Sequence, residues 1–383
     1  MQLVATCAFG LEKLVFNEIK KLGLWVLKTE DGRVTFEGTV KDMIRANLWL
    51  RTAGRVHIKM DEFSATDFDT LFDTIRDLPW EDFIGEFDAF PVAASSAKSV
   101  LHSEPSIQSI TKKAIVKRLE QHYDRSIFTE DSDVTYQIRV HINKDNILVS
   151  IDSSGESLHK RGYRSKANLA PIKETLAAAL VTLTDWTPDK KLIDPFCGSG
   201  TLVIEAALIA MNVAPGLRRE FPFQKWTWVD PEDIAAAYKE ARDAAIDLPD
   251  LNIHGYDLSK ETLAIAKANA ERAGVAEFIH FECNDFNNLM YVKFQDATFI
   301  ANPPYGERLS EKKHVEMLYR QFGKKFEETR NSSLFLITPD NNFPELFGRR
   351  ADKNRKLFNG PIQCYLYSFL PKNKPISEEA LKQ

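Results

Sequence analysis

Apolar and polar positions follow two rhythms along this chain, and changes of rhythm mark its parts. Over residues 1–60, apolar runs at Gln2–Cys7, Arg33–Phe36 and Arg55–Met60 read as strands, separated by helix-spaced patterns at Gly10–Leu22 and Val40–Leu50. Such interleaving in a short segment predicts a small α+β unit. Residues 61–155 predict a second. Its strands are Ala89–Ala94, Val134–Ile142 and Ile147–Asp152, the last two joined by the polar turn Asn143–Asn146. Between them Pro105–Tyr123 reads as a helix, with Ile107, Ile110 and Ala114 on one stripe and Lys113 and Lys117 on another. From Pro171 onward, strand and helix alternate as in a doubly wound parallel sheet. Residues 156–170 include Leu158-His159-Lys160-Arg161-Gly162-Tyr163-Arg164-Ser165-Lys166, which reads as a basic linker. The expected fold is therefore α/β, with two α+β units preceding a Rossmann-like domain at 171–383.

A chain of 383 residues has room for two or three domains, each with its own core. Cys7, Cys197, Cys283 and Cys364 lie far apart with no Cys-x-x-Cys pair, which argues against a zinc site and a disulfide framework. No metal is expected. The N-terminus lacks a basic stretch followed by an apolar core, and no run is long enough to span a bilayer, so a cytoplasmic protein is expected.

The formal net charge of −5 taken alone argues against a polyanionic partner. Its distribution changes that reading. Ten acids between Asp61 and Asp88 face Arg76 alone, whereas Lys98, Lys112, Lys113, Lys117, Arg118 and Arg125 face only Glu104, Glu120 and Asp124. A basic helix face is most often plain solvated surface. Here Lys113 and Lys117, with Lys160, Arg161 and Arg164 of the linker, are also candidates for gripping RNA phosphates.

Chemistry gathers at the predicted strand ends of the last domain. The short strand Lys191–Ile193 runs into Asp194-Pro195-Phe196-Cys197-Gly198-Ser199-Gly200-Thr201, followed by the helical run Leu202–Met211. Gly198 and Gly200 let the backbone approach a ligand and aim helix-N-terminal amides at it. The Gly-Lys-Ser/Thr of a Walker loop and the spacing of a dinucleotide fingerprint are both missing. What remains suits an adenosyl ligand carrying an amino acid. The next strand, Asn252–Tyr256, ends in Asp257, the place where such folds hold a ribose diol. The separation from Asp194 far exceeds the usual ~20 residues, which places an insert at about 214–249, bearing Trp226, Trp228, Arg218 and Arg219. The third strand, Phe278–Cys283, leads to Asp285 and Phe286, a carboxylate and a ring for an adenine amino group and its face. Each acid alone could simply cap a helix. An ordered series of polar strand tips favours a ligand site.

The fourth tip follows the apolar run Ala297–Ala301 and reads Asn302-Pro303-Pro304-Tyr305-Gly306-Glu307-Arg308. Two prolines remove two backbone donors and hold the chain extended, so the Asn302 and Pro303 carbonyls have few local partners. An amide oxygen beside a backbone carbonyl can accept both hydrogens of a planar amino group while Tyr305 offers a ring for stacking. The same tetrad suits guanine N2, adenine N6 or glutamine N5, and as turn chemistry it could merely end a strand.

Asp194–Thr201 together with Asn302–Tyr305 resembles the amino-methylating class of class I S-adenosylmethionine-dependent methyltransferases. His159–Arg164, Pro171-Ile172-Lys173-Glu174-Thr175 and Asn302–Arg308 narrow the resemblance to the THUMP-domain guanine-N2 RNA methyltransferases, bacterial 23S ribosomal RNA branch. It runs over nearly the whole chain, strongly from about residue 155 and weakly over 1–60. It implies a ferredoxin-like region at 1–60, a THUMP RNA-binding domain at 61–155 and a catalytic domain at 171–383 with an antiparallel last strand. The hairpin-like run Lys356–Leu370 around Asn359-Gly360-Pro361 fits that strand. S-adenosylmethionine is the implied cofactor. Asp257, with Leu258 beside it, would hold the ribose, and Asp285 and Phe286 the adenine. Asp194, Phe196, Cys197, Gly198, Gly200 and Thr201, with Thr175 nearby, would surround the methionine moiety. Asn302 and Pro303 would hold the base amine, with Tyr305 stacked on the base. The implied partner is RNA, as 23S ribosomal RNA or a ribosome assembly intermediate. Transfer RNA, DNA adenine N6, glutamine N5 and a catalytically inactive RNA-binding module remain open.

Overall fold

The strands fall into two seven-stranded sheets belonging to two compact units. This computed structural model describes residues 1–124, 131–164, 172–248, 250–305 and 309–371. Arg125, the Ser165–Lys166 end of the basic stretch, Pro171 and Gly306-Glu307-Arg308 lie outside the described residues.

The first unit comprises Met1–Cys7, Glu12–Leu158 and Ala214–Asp243. Its strands are β1 (Gln2–Thr6), β2 (Trp25–Glu30), β3 (Arg33–Glu37), β4 (Arg55–Ser64), β5 (Val92–Ala97), β6 (Gln137–Asn143) and β7 (Asn146–Asp152), in the order β2-β3-β1-β4-β7-β6-β5. Strand β4 crosses residue 60, pairing with β1 on one side and β7 on the other, and ends at Ser64 rather than at the expected Met60. A register shift between Lys59 and Asp61 hides this continuation: a bulge interrupts the apolar alternation just where the acids begin. Those acids are not idle, since Glu62 accepts from Lys59 at 2.7 Å and Arg33 at 2.8 Å. Strand β2 was not expected, and its almost wholly unburied residues give no alternation to read. Nor was the helix Phe68–Arg76, whose N-terminus is capped by Asp67 accepting from the Thr70 amide at 2.7 Å. The helix Glu104–Tyr123 buries Ile107 and Ala114 as expected, with Ile110 partly covered.

The tryptophan-bearing insert belongs to this first unit. Trp226, 2% exposed, stacks on Tyr136 at 4.8 Å and donates from Nε1 to the Thr135 carbonyl, while Trp228 meets Phe83 edge-on. Gly216 rests so close to Leu48 that a Cβ would lie 2.7 Å from its Cα, and its amide donates to the Leu48 carbonyl. Arg219 donates to the carbonyls of Ser154, Glu156 and Ser157. A segment lying within the cofactor-type crossover by sequence thus completes the core of the N-terminal sheet.

The second unit comprises Ala8–Leu11, His159–Val213 and Ala244–Gln383. Its strands are β8 (Leu192–Asp194), β9 (Ile253–Asp257), β10 (Ile279–Cys283), β11 (Thr298–Ala301), β12 (Ser333–Thr338), β13 (Lys353–Asn359) and β14 (Ile362–Phe369), ordered β10-β9-β8-β11-β12-β14-β13. The first five are parallel, and β14 lies antiparallel between β12 and β13, as expected for the final hairpin. Every residue of β8, β11 and β12 is buried, which accounts for their continuous apolar runs. Because the five strands are parallel, Asp194, Asp257, Cys283 and Ala301 end at one edge of the sheet, where open α/β sheets bind ligands. Among the described residues no helix is long and apolar enough to cross a membrane.

Candidate active site

The turn after β8 is built on two glycines in the left-handed region, Gly198 (φ 54°) and Gly200 (φ 83°). Its amides are tied to acids at the strand tips. Phe196 donates to Asp194 Oδ1 at 3.0 Å, and Gly198 donates to Asp257 Oδ2 at 3.1 Å. Asp257 Oδ1 accepts from the Ser259 amide at 2.8 Å, so this carboxylate joins the β9 tip, the turn and the next helix. Cys197 is buried beneath the turn, and burial raises its thiol pKa. A Cβ on Gly198 would meet nothing within 4 Å, so the turn faces open space there.

Asp194 is 1% exposed, and burial pushes its carboxyl up to about 8, with the nearby Asp257 charge adding to the effect. Its Oδ2 has no hydrogen-bond partner among the described residues. A buried, orphaned carboxylate oxygen beside a glycine turn fits a ligand bearing an ammonium group. At the neighbouring tips Leu258 is 67% exposed, an apolar surface next to the Asp257 carboxylate. Asp285 accepts from the Asn287 amide at 2.8 Å and is half-buried. Phe286 is 6% exposed, and its ring packs on Phe196 at 5.1 Å and on Phe322 at 6.0 Å. It supports the turn from inside the core, which leaves Leu258 as the exposed apolar face at these tips.

His159–Arg164 of the stretch read as a basic linker belongs to the same unit, and two of the RNA candidates in it turn inward. Arg161 is 3% exposed, with Nε 3.5 Å from Glu205 Oε1. Arg164 donates to Thr201 Oγ1 at 2.6 Å and to the Ile172 carbonyl at 3.1 Å, and its Nε lies 3.4 Å from Glu174. Both side chains turn inward because Glu174 and Glu205 are buried and would otherwise lack counter-charge; even so, burial raises the Glu174 pKa. Lys160 is exposed. Tyr163, between the arginines, donates to Glu205 Oε1 at 3.0 Å, and its carbonyl accepts from Arg272 Nε at 2.6 Å. Arg272 in turn holds Asn269, whose Nδ2 donates to the Ser199 carbonyl at 3.0 Å. A chain of polar contacts therefore runs from His159–Arg164 to Ser199 and Thr201 of the glycine turn. Thr175 sits in the first turn of the helix Glu174–Thr182, 9% exposed. Sequence reading missed Glu205, Asn269 and Arg272. Glu205 left a trace, as the one charged residue in the apolar helix Thr201–Ala210.

At the fourth tip, β11 pairs in parallel with β8 through Phe299↔Ile193, so the two strands end side by side. Pro303 is buried and Asn302 half-buried. The Tyr305 hydroxyl donates to Asn302 Oδ1 and lies near the Cys364 thiol. Burial raises the Tyr305 pKa, so its hydroxyl keeps its proton and remains a donor. The amide oxygen meant for an amino group is therefore oriented and already engaged.

On the N-terminal unit, Lys113 and Lys117 are exposed, as expected. The surrounding charge is weaker than its composition suggests. Lys117 pairs with Glu120 at 3.2 Å, Arg118 donates to Glu81 of the acidic block, and Lys112 lies over the Phe90 ring.

Residues 161–368 match the family described as RMKL-like, methyltransferase domain, preceded by an RlmL ferredoxin-like domain at 2–57 and a THUMP domain at 65–152. The chain belongs to the RMKL-like methyltransferase family. YpsC of Bacillus subtilis (strain 168) is 43% identical over 377 residues, 97% of each chain. The ribosomal RNA large subunit methyltransferase K/L of Psychromonas ingrahamii is 35% identical over 380 residues, which cover 97% of this chain and 51% of that protein. The chain thus spans about half the length of that K/L relative. The crystal structure of SMU.472 complexed with SAH superposes with a TM-score of 0.91 at 42% identity, over 97% of this chain and 98% of that one. The fold is therefore ferredoxin-like, THUMP and methyltransferase in that order, as the resemblance implied. In this RMKL-like domain the glycine turn and the Asn302 tip occupy adjacent ends of parallel strands.

Proposed function

We propose that this RMKL-like methyltransferase transfers the methyl group of S-adenosylmethionine to the exocyclic N2 amine of a guanosine in RNA, and that the RNA is 23S ribosomal RNA. The observation that carries this reading is the Asn302 amide oxygen, oriented by Tyr305 at the strand tip next to the glycine turn. An acceptor with a proline-extended carbonyl beside it is what a planar amine needs. The named activities of the K/L relatives and the THUMP match support RNA as the class of acceptor.

In this reading the ribose diol lies on Asp257, the adenine lies against Leu258 with its amino group toward Asp285, and the ligand ammonium faces Asp194. Phe196, Cys197, Gly198, Gly200 and Thr201 shape the methionine side, with Thr175 behind them. The bound cofactor supplies an already electrophilic methyl group. The protein must place the nucleophilic nitrogen in line with it. Asn302 Oδ1 and the Pro303 carbonyl accept the two amine hydrogens, which orients the lone pair and stabilises the positive charge developing on nitrogen. Entry of the base requires Asn302 to exchange the Tyr305 hydroxyl for the amine, freeing the ring to cover the base. The proton leaves to water, so no strong general base is needed. The base reaches this tip from a loop or by extrusion. Lys113, Lys117 and Lys160 supply phosphate contacts that position the RNA. The 1–60, 61–155 and 171–383 division serves this scheme as two RNA-facing parts and a catalytic part, with His159–Arg164 counted with the catalytic part. In this reading the protein works in the cytoplasm with its RNA.

The test is incubation of the purified chain with methyl-labelled S-adenosylmethionine and separate RNA, DNA and protein fractions, followed by nucleoside analysis. N2-methylguanosine in RNA is expected. Label confined to N6-methyladenine in DNA, or to protein, would sink the proposal.

A further inference from the structure

The last hairpin of the catalytic unit carries a feature that the cofactor and amine contacts leave unused. Phe9, in the Ala8–Leu11 segment counted with this unit, is 55% exposed and meets Phe358 of β13 edge-on at 6.0 Å. Lys356 Nζ lies 5.4 Å from the Phe358 ring centre. The arrangement is fixed by Gly10 (φ 89°), where a Cβ would come within 2.9 Å of the Lys356 carbonyl oxygen. Two aromatic rings and a cation are thus held together on the surface.

Their position follows from strand direction. Strand β14 is antiparallel to both β12 and β13, so β13 ends at the same edge of the sheet as β11 and its Asn302 tip. Tyr305 lies beside Cys364, which pairs with Leu357 across the hairpin, and Phe358 projects from the opposite face of β13 at the same edge of the sheet. The strand and its approach are basic: Arg349, Arg350, Lys353, Arg355 and Lys356 accompany a single acid, Asp352, which is held by Arg349 at 3.1 Å. An aromatic surface beside Lys356, with further cations leading along β13, suits single-stranded nucleic acid, whose bases stack while its phosphates track the charge.

We propose that Phe9, Phe358 and Lys356 form a stacking platform for an unpaired RNA base flanking the nucleotide to be methylated. This rests on the reading of the chain as an RNA methyltransferase. Loss of a stacked base weakens single-strand binding by about 5- to 150-fold. Fluorescence anisotropy with a labelled mixed-sequence single-stranded RNA is expected to show such a loss for Phe358→Ala and a smaller one for Phe9→Ala. Phe358→Tyr should restore affinity, and SAH binding by calorimetry should stay within twofold throughout. Wild-type protein that labels RNA while both alanine variants keep RNA affinity and RNA KM within twofold would overturn this inference alone. Wild-type protein that labels no RNA would overturn it together with the proposed function. A wild-type dimer in sedimentation velocity that Lys356→Glu dissolves would assign the edge to a second copy and overturn the platform.

Discussion

The two halves of the candidate active site are held in different ways. On the cofactor side, backbone amides of the turn bond to carboxylates at two strand tips, and Arg164, Asn269 and Arg272 brace it from below. On the acceptor side, Asn302 is held by one side-chain hydroxyl three residues away. The first half is preorganised through the sheet. In the proposed mechanism the second exchanges or shares that hydrogen bond as the base enters. A site so divided would keep its cofactor pocket formed while its acceptor pocket adjusts to a substrate that takes over the Tyr305 contact.

The sharpest way to break this comparison is Asn302→Ala. Turnover should fall about 10²–10³-fold, the effect of removing one preorganised hydrogen-bonding group, while SAH affinity by calorimetry stays unchanged. Equal losses in both would show that the halves are not separable. Asp257→Ala should act oppositely, weakening SAH binding about 10- to 100-fold through loss of a charged acceptor. Unchanged affinity would remove it from the ribose contact.

Smaller effects refine the picture. Tyr305→Phe keeps the ring and frees Asn302, so RNA KM should drop a few-fold with kcat retained, in line with one net hydrogen bond of about 0.5–1.5 kcal/mol. A kcat loss as large as that of Asn302→Ala would place the hydroxyl in the chemistry itself. The smallest signal is a proton. With the Asp194 carboxyl raised to about 8, the free protein holds a proton at pH 6.5 that an incoming ammonium should displace. Calorimetry in buffers of different ionisation enthalpy should show up to one proton released on SAH binding, fading as pH passes about 8 and missing in Asp194→Asn. The same raised pKa means the folded chain retains a proton the unfolded chain has lost, so this group lowers stability progressively as pH rises from about 4 to about 8. No release in the wild type would separate Asp194 from the ammonium.

Local signals made much of the second unit readable. Glycines in a turn, apolar runs of buried parallel strands and polar residues at their ends are all set within a few residues, and β8, β9, β10, β11 and the last hairpin fell within a few residues of their expected places. The first unit was less legible because its cues are interrupted or distant. A bulge hid the continuity of β4, exposure hid β2, and Trp226 finds Tyr136 ninety residues earlier in the chain. Arg161 and Arg164 were misread for a related reason. A cation's sequence neighbours do not reveal whether a buried acid awaits it, and Glu174 and Glu205 are brought beneath them only by folding.

By itself the sequence determined the strand ends that form the candidate site, because each requires particular residue types at short spacing: Asp194 before two glycines, Asp257 at the end of a short strand, Asn302 before two prolines. Only the tertiary structure decided which side chains are free to meet a ligand. Burial made Phe286 a support, turned two linker arginines into braces, gave the insert to the other sheet and closed Tyr305 over Asn302. Those outcomes depend on desolvation and on partners far apart in the chain, which spacing along the sequence does not record.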